Sequence, residues 1–163
     1  MDWLYADINN KKLRINKNDS LEIYSWRDYV KKPYWYKIKI VLHTNKSDYQ
    51  YYRIYINQKK CSLSRILYKA HNPDWDITDN SMNNFIDHIN TNSLDNRIEN
   101  LRVVTHQQNQ FNRNAKGYSW NKQNKKWQTQ IAFNGKIKYI GLFDKKEDAH
   151  IAYLKAKEFY HKI

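Results

Sequence analysis

With 163 residues, the chain is long enough for one ordinary domain or two small ones. Lys and Arg total 29 against 16 Asp and Glu, a formal charge of +13; nucleic acid is the commonest partner for such a surplus. No apolar run reaches the roughly 18 residues of a membrane span, and no basic amphipathic helix with a strong apolar face suggests a membrane surface. Cys61 is the only cysteine, which excludes a disulfide framework and a cysteine-built zinc site. The start, "MDWLYADINN", is acidic where a signal peptide is basic, so an intracellular protein of cytoplasm or nucleus, not a secreted one, is expected.

Residues 1–48 are polar and aromatic, and their role is not legible. They hold one clear alternating run, "YKIKIVL", in which Tyr36, Ile38, Ile40 and Leu42 share a face; this predicts a half-buried strand. Aromatics interleave with cations in "KKPYWYKIK" (31–39). Residues 49–114 form a second segment. There "YYRIYI" (51–56), the turn "NQKK" (57–60) and "CSLS" (61–64) predict a hairpin. "SRILYKAH" (64–71) predicts a helix stopped by Asn72-Pro73, followed by a polar loop. "FIDHI" and "NLRVV" (100–104) predict two strands around an asparagine-rich turn. "THQQNQFNRN" (105–114) predicts a helix with Thr105 as N-cap. In residues 115–163 three strands are expected at 117–122, 126–133 and 136–143, with the Asn134-Gly135 turn joining the last two. A closing helix is expected with Asp144 as N-cap and Glu147 completing a capping box, its inner stripe being Ala149, Ala152, Tyr153, Ala156, Phe159 and Tyr160.

The chemistry concentrates in "FIDHINTNSLDNRIENL" (85–101). Asp87 is a hard oxygen donor suited to a divalent cation such as Mg²⁺. His88 is a base suited to taking a proton from water near neutral pH. Adjacent positions on a regular strand point to opposite faces, so the two residues need distinct roles. Asp95 and Asn96 alone read as turn formers. Taken whole, "DHIN…LDNRIENLRVVT…N" resembles the HNH endonucleases of the phage and homing type over about residues 51–114. The resemblance implies a ββα-metal unit in which His88 is the general base and Asp87 a metal ligand. It makes Asn100 a brace for the catalytic strand and loop, and Asn109 the second metal ligand. The metal it implies is Mg²⁺, with Mn²⁺ as second choice and no zinc. Zinc-stapled members carry paired cysteines, so here packing must hold the unit.

Residues 115–163 resemble an AP2 (ERF-type) DNA-binding domain through "GYSWNKQNKKWQTQI" and "KYIGLFDKKEDAHIAY". This resemblance implies that the sheet reads double-stranded DNA. Ser119, Asn121, Lys122, Lys126, Gln128, Gln130, Lys136, Lys138 and Tyr139 are the contact candidates. Amides suit adenine, and lysines add salt-sensitive phosphate affinity. Trp127 and Phe143 are expected in the core.

The expectation is therefore an α+β protein: an HNH unit preceded by strands and followed by an AP2-like sheet and helix. Its function would be metal-dependent cleavage of DNA, of homing, mobile-element or viral type. A single site per chain, with a monomer as default, makes nicking the expected outcome. The competing expectations are a catalytically inactive DNA-binding regulator and an RNA-binding protein.

Overall fold

Alternation of apolar and polar residues folds the start of the chain into an antiparallel meander in the order β1-β2-β3-β4. Its strands are β1 (Trp3–Ile8), β2 (Lys11–Asn16), β3 (Asp19–Arg27) and β4 (Tyr34–Lys37). Asn9 and Asn10 both adopt positive φ between β1 and β2, a geometry that suits a two-residue hairpin turn. The computed structural model describes residues 2–163, in two compact units that divide between Val103 and Val104.

The strand expected over "YKIKIVL" is instead two strands in different sheets. Tyr36 still pairs with Ser25 in β4, and the Ile38 amide donates to the Ile23 carbonyl at 2.8 Å. The chain then leaves the first sheet and resumes as β5 (Val41–Thr44), which pairs with β6 (Gln50–Ile56). Ile38 is buried at this crossing, so the alternation reflects a shared core rather than one continuous strand. β6 and β7 (Lys59–Ser62) form the expected hairpin, its turn narrowed to Asn57-Gln58, both at positive φ. Helix α1 (Leu63–His71) follows and ends at Asn72.

A single apolar cluster unites these parts: Ile8, Leu13, Ile15, Ile23 and Ile38 pack with Ile54, Ile56, Leu63, Ile66, Leu67 and Leu101. The division expected at residue 48 therefore does not separate two cores. Burying several large aliphatic side chains, each worth roughly 1.5–3 kcal/mol, ties the first meander to the hairpin and helix.

Side-chain bonds to backbone hold the polar loop after α1. Arg65 of α1 donates to the backbone carbonyls of Asn84 at 2.8 Å and Ile77 at 2.6 Å, and its guanidinium lies 4.8 Å from the Trp75 ring centre. Asn84 is buried; it accepts from Trp75 Nε1 at 2.6 Å and donates to the Asp76 and Asp79 carbonyls. One arginine and one asparagine thus satisfy the backbone of the loop that precedes β8 (Phe85–His88).

In the second unit, α2 (His106–Phe111) begins with a full capping box, Thr105 accepting from the Gln108 amide and Gln108 accepting from the Thr105 amide. Strands β10 (Tyr118–Asn121), β11 (Lys126–Phe133) and β12 (Lys136–Phe143) form one antiparallel sheet, and α3 (Lys146–Tyr160) packs across it. The Asn134-Gly135 turn has the expected positive φ at both residues. The N-cap of α3 is Lys145, not Asp144, and no side chain caps it; Asp144 pairs with Lys126 at 3.2 Å instead. Along the predicted stripe, Ala149 and Tyr153 are buried, but Phe159 is 69% exposed because it lies past the edge of the packed face. Gly117 has φ +73°, and a Cβ there would come within 1.9 Å of the Tyr153 ring, so the helix sits directly on glycine backbone.

Candidate active site

Strand β8 pairs with β9 (Leu101–Val104) as a two-stranded ribbon, and between them residues 89–100 form a loop closed by a 3₁₀ turn. Asn100, at the end of that turn, is buried and organises the loop through three bonds. Its Oδ1 accepts from the Asn90 amide at 3.0 Å. Its Nδ2 donates to Asn90 Oδ1 at 3.0 Å and to the Asp95 carbonyl at 2.7 Å. Next to it the Ile89 amide donates to the Asn100 carbonyl at 2.9 Å. Asn90 Nδ2 also reaches Asp95 Oδ2 at 2.8 Å. The Arg97 guanidinium bonded to Asp95 holds that carboxyl well below the usual carboxylate range. Ser93 Oγ donates to the Gln50 carbonyl, which fastens the loop to the β6 hairpin.

Asp87 and His88 diverge from the strand as alternation requires. The Asp87 carboxylate is buried, and its Oδ2 accepts from both Nε and Nη2 of Arg102 on β9, at 2.9 and 2.8 Å. This ion pair crosses the ribbon between side chains 7% and 27% exposed. His88 points elsewhere, against a cavity of about 180 Å³ walled in part by Tyr51, Tyr52, Ser62, Ser64 and Ile86.

Asn96 meets the His88 ring, with Nε2 and Oδ1 3.1 Å apart. The amide orientation is settled by Asn96 Nδ2, which donates to the Leu94 carbonyl at 3.2 Å and so turns Oδ1 toward the histidine. This contact favours the tautomer with the proton on Nε2, in which Nδ1 of the neutral ring holds the lone pair. Asn96, which read in sequence as a turn former, is thus the residue that selects the tautomer; its spacing from His88 carried no signal of this. Losing the acceptor in Asn96→Ala should remove about 1 kcal/mol, a roughly five-fold fall in the Nε2–H to Nδ1–H ratio. Long-range ¹⁵N–¹H spectra of the imidazole measure that ratio, and an unchanged spectrum would rule out the assignment.

Asp87, His88 and Asn100 therefore meet on one hairpin and its loop. Asn109 lies on α2 and belongs to the second unit. The DNA-contact candidates divide between two faces of the second sheet. Ser119 pairs with Gln128, Asn121 with Lys126, and Gln130 with Tyr139; these six alternate with Thr129, whose Oγ1 donates to the Ala149 carbonyl of α3 at 3.0 Å. They therefore occupy the face away from the helix, where Asn121 Nδ2 donates to Gln128 Oε1 at 2.7 Å. Lys136 and Lys138 pair with Phe133 and Ile131 on the other face, and Lys138 Nζ lies 4.6 Å from the Tyr160 ring centre of α3. Lys122 follows β10 in an exposed turn. Trp127 is half-buried between Tyr118 and Trp120, and Phe143 is likewise half-buried.

Asp87 offers the hard carboxylate oxygen that a divalent cation prefers. Among the described residues no three His, Cys, Asp or Glu side chains cluster as a metal cage. At Asp87 any cation would compete with the Arg102 guanidinium for the carboxylate.

Residues 62–111 match the family model described as HNH endonuclease. The matched stretch contains α1, β8, β9 and α2, and with them Asp87, His88, Asn96, Asn100 and Asn109. No curated protein and no solved structure matches the chain. The family match supports a nuclease, a hydrolase of phosphodiester bonds with DNA as the substrate that such a domain implies. No described helix is long and apolar enough to cross a membrane.

Proposed function

We propose that the chain is a metal-dependent DNA endonuclease that nicks duplex DNA, with residues of the second unit serving as a DNA-reading module. The observation that carries this reading is the β8–β9 hairpin inside the matched stretch. It presents a buried carboxylate and a tautomer-fixed histidine on opposite sides of one strand, under a loop braced by Asn100.

In this reading His88 Nδ1 accepts a proton from water, whose oxygen attacks the phosphorus. The P–O3′ bond breaks and the departing O3′ takes a proton from solvent, leaving a 3′-hydroxyl and a 5′-phosphate. Asp87 would hold the divalent ion, which when bound supplies charge neutralisation at the phosphate and leaving oxygen. Arg102 fixes the carboxylate until the cation arrives. Asn96 keeps the imidazole in the tautomer that leaves Nδ1 unprotonated. The outward row Ser119, Asn121, Lys126, Gln128, Gln130 and Tyr139 would face DNA, and tethering that row to the nuclease raises its local concentration on duplex. A homing, mobile-element or viral setting suits the pairing of modules.

The second reading is an inactive DNA-binding regulator, favoured by one observation: a guanidinium already neutralises Asp87. Incubation of supercoiled plasmid with the purified chain and Mg²⁺ or Mn²⁺ separates the two. Relaxed circles should accumulate with either metal and not with EDTA. Intact supercoils under every divalent metal, together with a gel shift of duplex, would leave only the regulator.

A further inference from the structure

The β1–β4 meander turns its aliphatic residues into the core, and what it turns outward is aromatic. Cross-strand pairing places Tyr5, Arg14, Tyr24 and Lys37 in one row across all four strands, since Tyr5 pairs with Arg14, Arg14 with Tyr24 and Tyr24 with Lys37. The neighbouring outward positions are Trp3 on β1 and the directly opposed pair Trp26 and Trp35 on β3 and β4. Alternation with buried Leu13, Ile15, Ile23 and Ser25 confirms that all of these leave the core side.

Arg14 is the centre of this surface. Its guanidinium lies 4.6 Å from the Trp3 ring centre, 4.8 Å from Tyr24 and 4.9 Å from Trp35. The Arg14 Nε is buried with no hydrogen-bond partner among the described residues, and three aromatic rings pack around this cation. Glu22, on the same face, accepts from Asn16 Nδ2 and from the Tyr24 hydroxyl. The rings are not closed over: Tyr5 is 63% exposed, with its ring centre 6.3 Å from that of Trp35. On this face Lys12 and Lys37 add positive charge beside Arg14, while Asp7, opposite Lys12, and Glu22 supply carboxylates.

A cluster of mutually tilted rings with a π-held arginine and neighbouring lysines matches unpaired bases on a phosphate backbone. Base faces are hidden in a duplex and open in a single strand, so rings select the strand and cations add affinity for its phosphates. We propose that the outer face of the β1–β4 meander is a binding platform for single-stranded nucleic acid. Bases stack on Tyr5 and Trp35, and phosphates run along Arg14 and Lys37. None of these residues lies in the stretch matched to the nuclease family, so the proposal stands apart from the catalytic reading.

Fluorescence anisotropy of labelled dT15, rU15 and a 15-base-pair duplex, with the full chain in EDTA, tests it. Tyr5→Ala should weaken binding of a single-stranded oligonucleotide roughly 10-fold or more and leave duplex binding within about two-fold. Trp35→Ala should do the same, and thermal melts matching wild type show that each variant is folded. The oligonucleotide that suffers the loss identifies DNA or RNA as the strand held. Arg14→Lys keeps the charge and loses the planar stack, so a loss there too assigns the effect to π contact. Wild-type binding of both oligonucleotides by Tyr5→Ala overturns the proposal. So does an equal loss on duplex, or a wild-type dimer in sedimentation that Tyr5→Ala dissolves, which would mean the face belongs to a second copy.

Discussion

On the proposed mechanism, His88→Ala is expected to nick supercoiled plasmid about 10³-fold more slowly than wild type, the middle of the range for a lost general base. Duplex binding stays within about two-fold, since the imidazole lies against a cavity of about 180 Å³ rather than on a broad surface. The physical ground is the local geometry. Asn96, itself fixed by the Leu94 carbonyl, assigns the proton to Nε2 and so the lone pair to Nδ1. Alanine removes the imidazole nitrogen to which the proposed mechanism gives the proton of water. Initial rates of relaxed-circle formation, with gel-shift titrations beside them, measure both quantities. A variant that nicks as wild type does would remove His88 from the chemistry. A variant that loses binding and cleavage together would make it a structural residue.

Much of the scaffold around that histidine was readable because it rests on short-range rules. The β6–β7 and β11–β12 hairpins follow from alternation and from turn residues that accept positive φ, Asn57-Gln58 and Asn134-Gly135. Helix α1 ends where Asn72-Pro73 ends it, and α2 opens on the Thr105 cap with a reciprocal Gln108. What was not readable depends on partners distant in sequence. The crossing at Ile38 is fixed by a core that also includes Ile54 and Leu67. The Asp144 cap gave way to an ion pair with Lys126, eighteen residues back. The Arg65–Asn84 knot that holds the loop before β8 looked in sequence like an arginine on a helix and one asparagine among many. In the same way Asn96 is one more turn amide until the loop folds it against His88. The split of Lys136 and Lys138 from Tyr139 is different, since period-two alternation alone separates them.

Arg102→Met destabilises the first unit by about 2 kcal/mol in the absence of divalent metal, and Mg²⁺ restores part of that loss. Breaking a buried ion pair from one side costs about 3–5 kcal/mol because the remaining charge is stranded, and the figure is reduced here because Arg102 is partly exposed. Asp87 keeps its buried place on β8, so a cation that binds there would replace the lost guanidinium. Saturation at 100 times the dissociation constant adds about 2.7 kcal/mol to any state that binds the ion alone. Wild type gains less from Mg²⁺ than Arg102→Met does, because in wild type the cation competes with Nε and Nη2 for Oδ2. Asp87→Asn gains nothing, having no carboxylate to offer, and it loses cleavage while retaining duplex binding. Urea denaturation of the three proteins, with EDTA and with Mg²⁺, resolves these differences without any cleavage assay. Equal metal response in Arg102→Met and Asp87→Asn would separate the cation from this carboxylate. A gain specific to Arg102→Met makes the arginine the group that holds Asp87 ready for its ion.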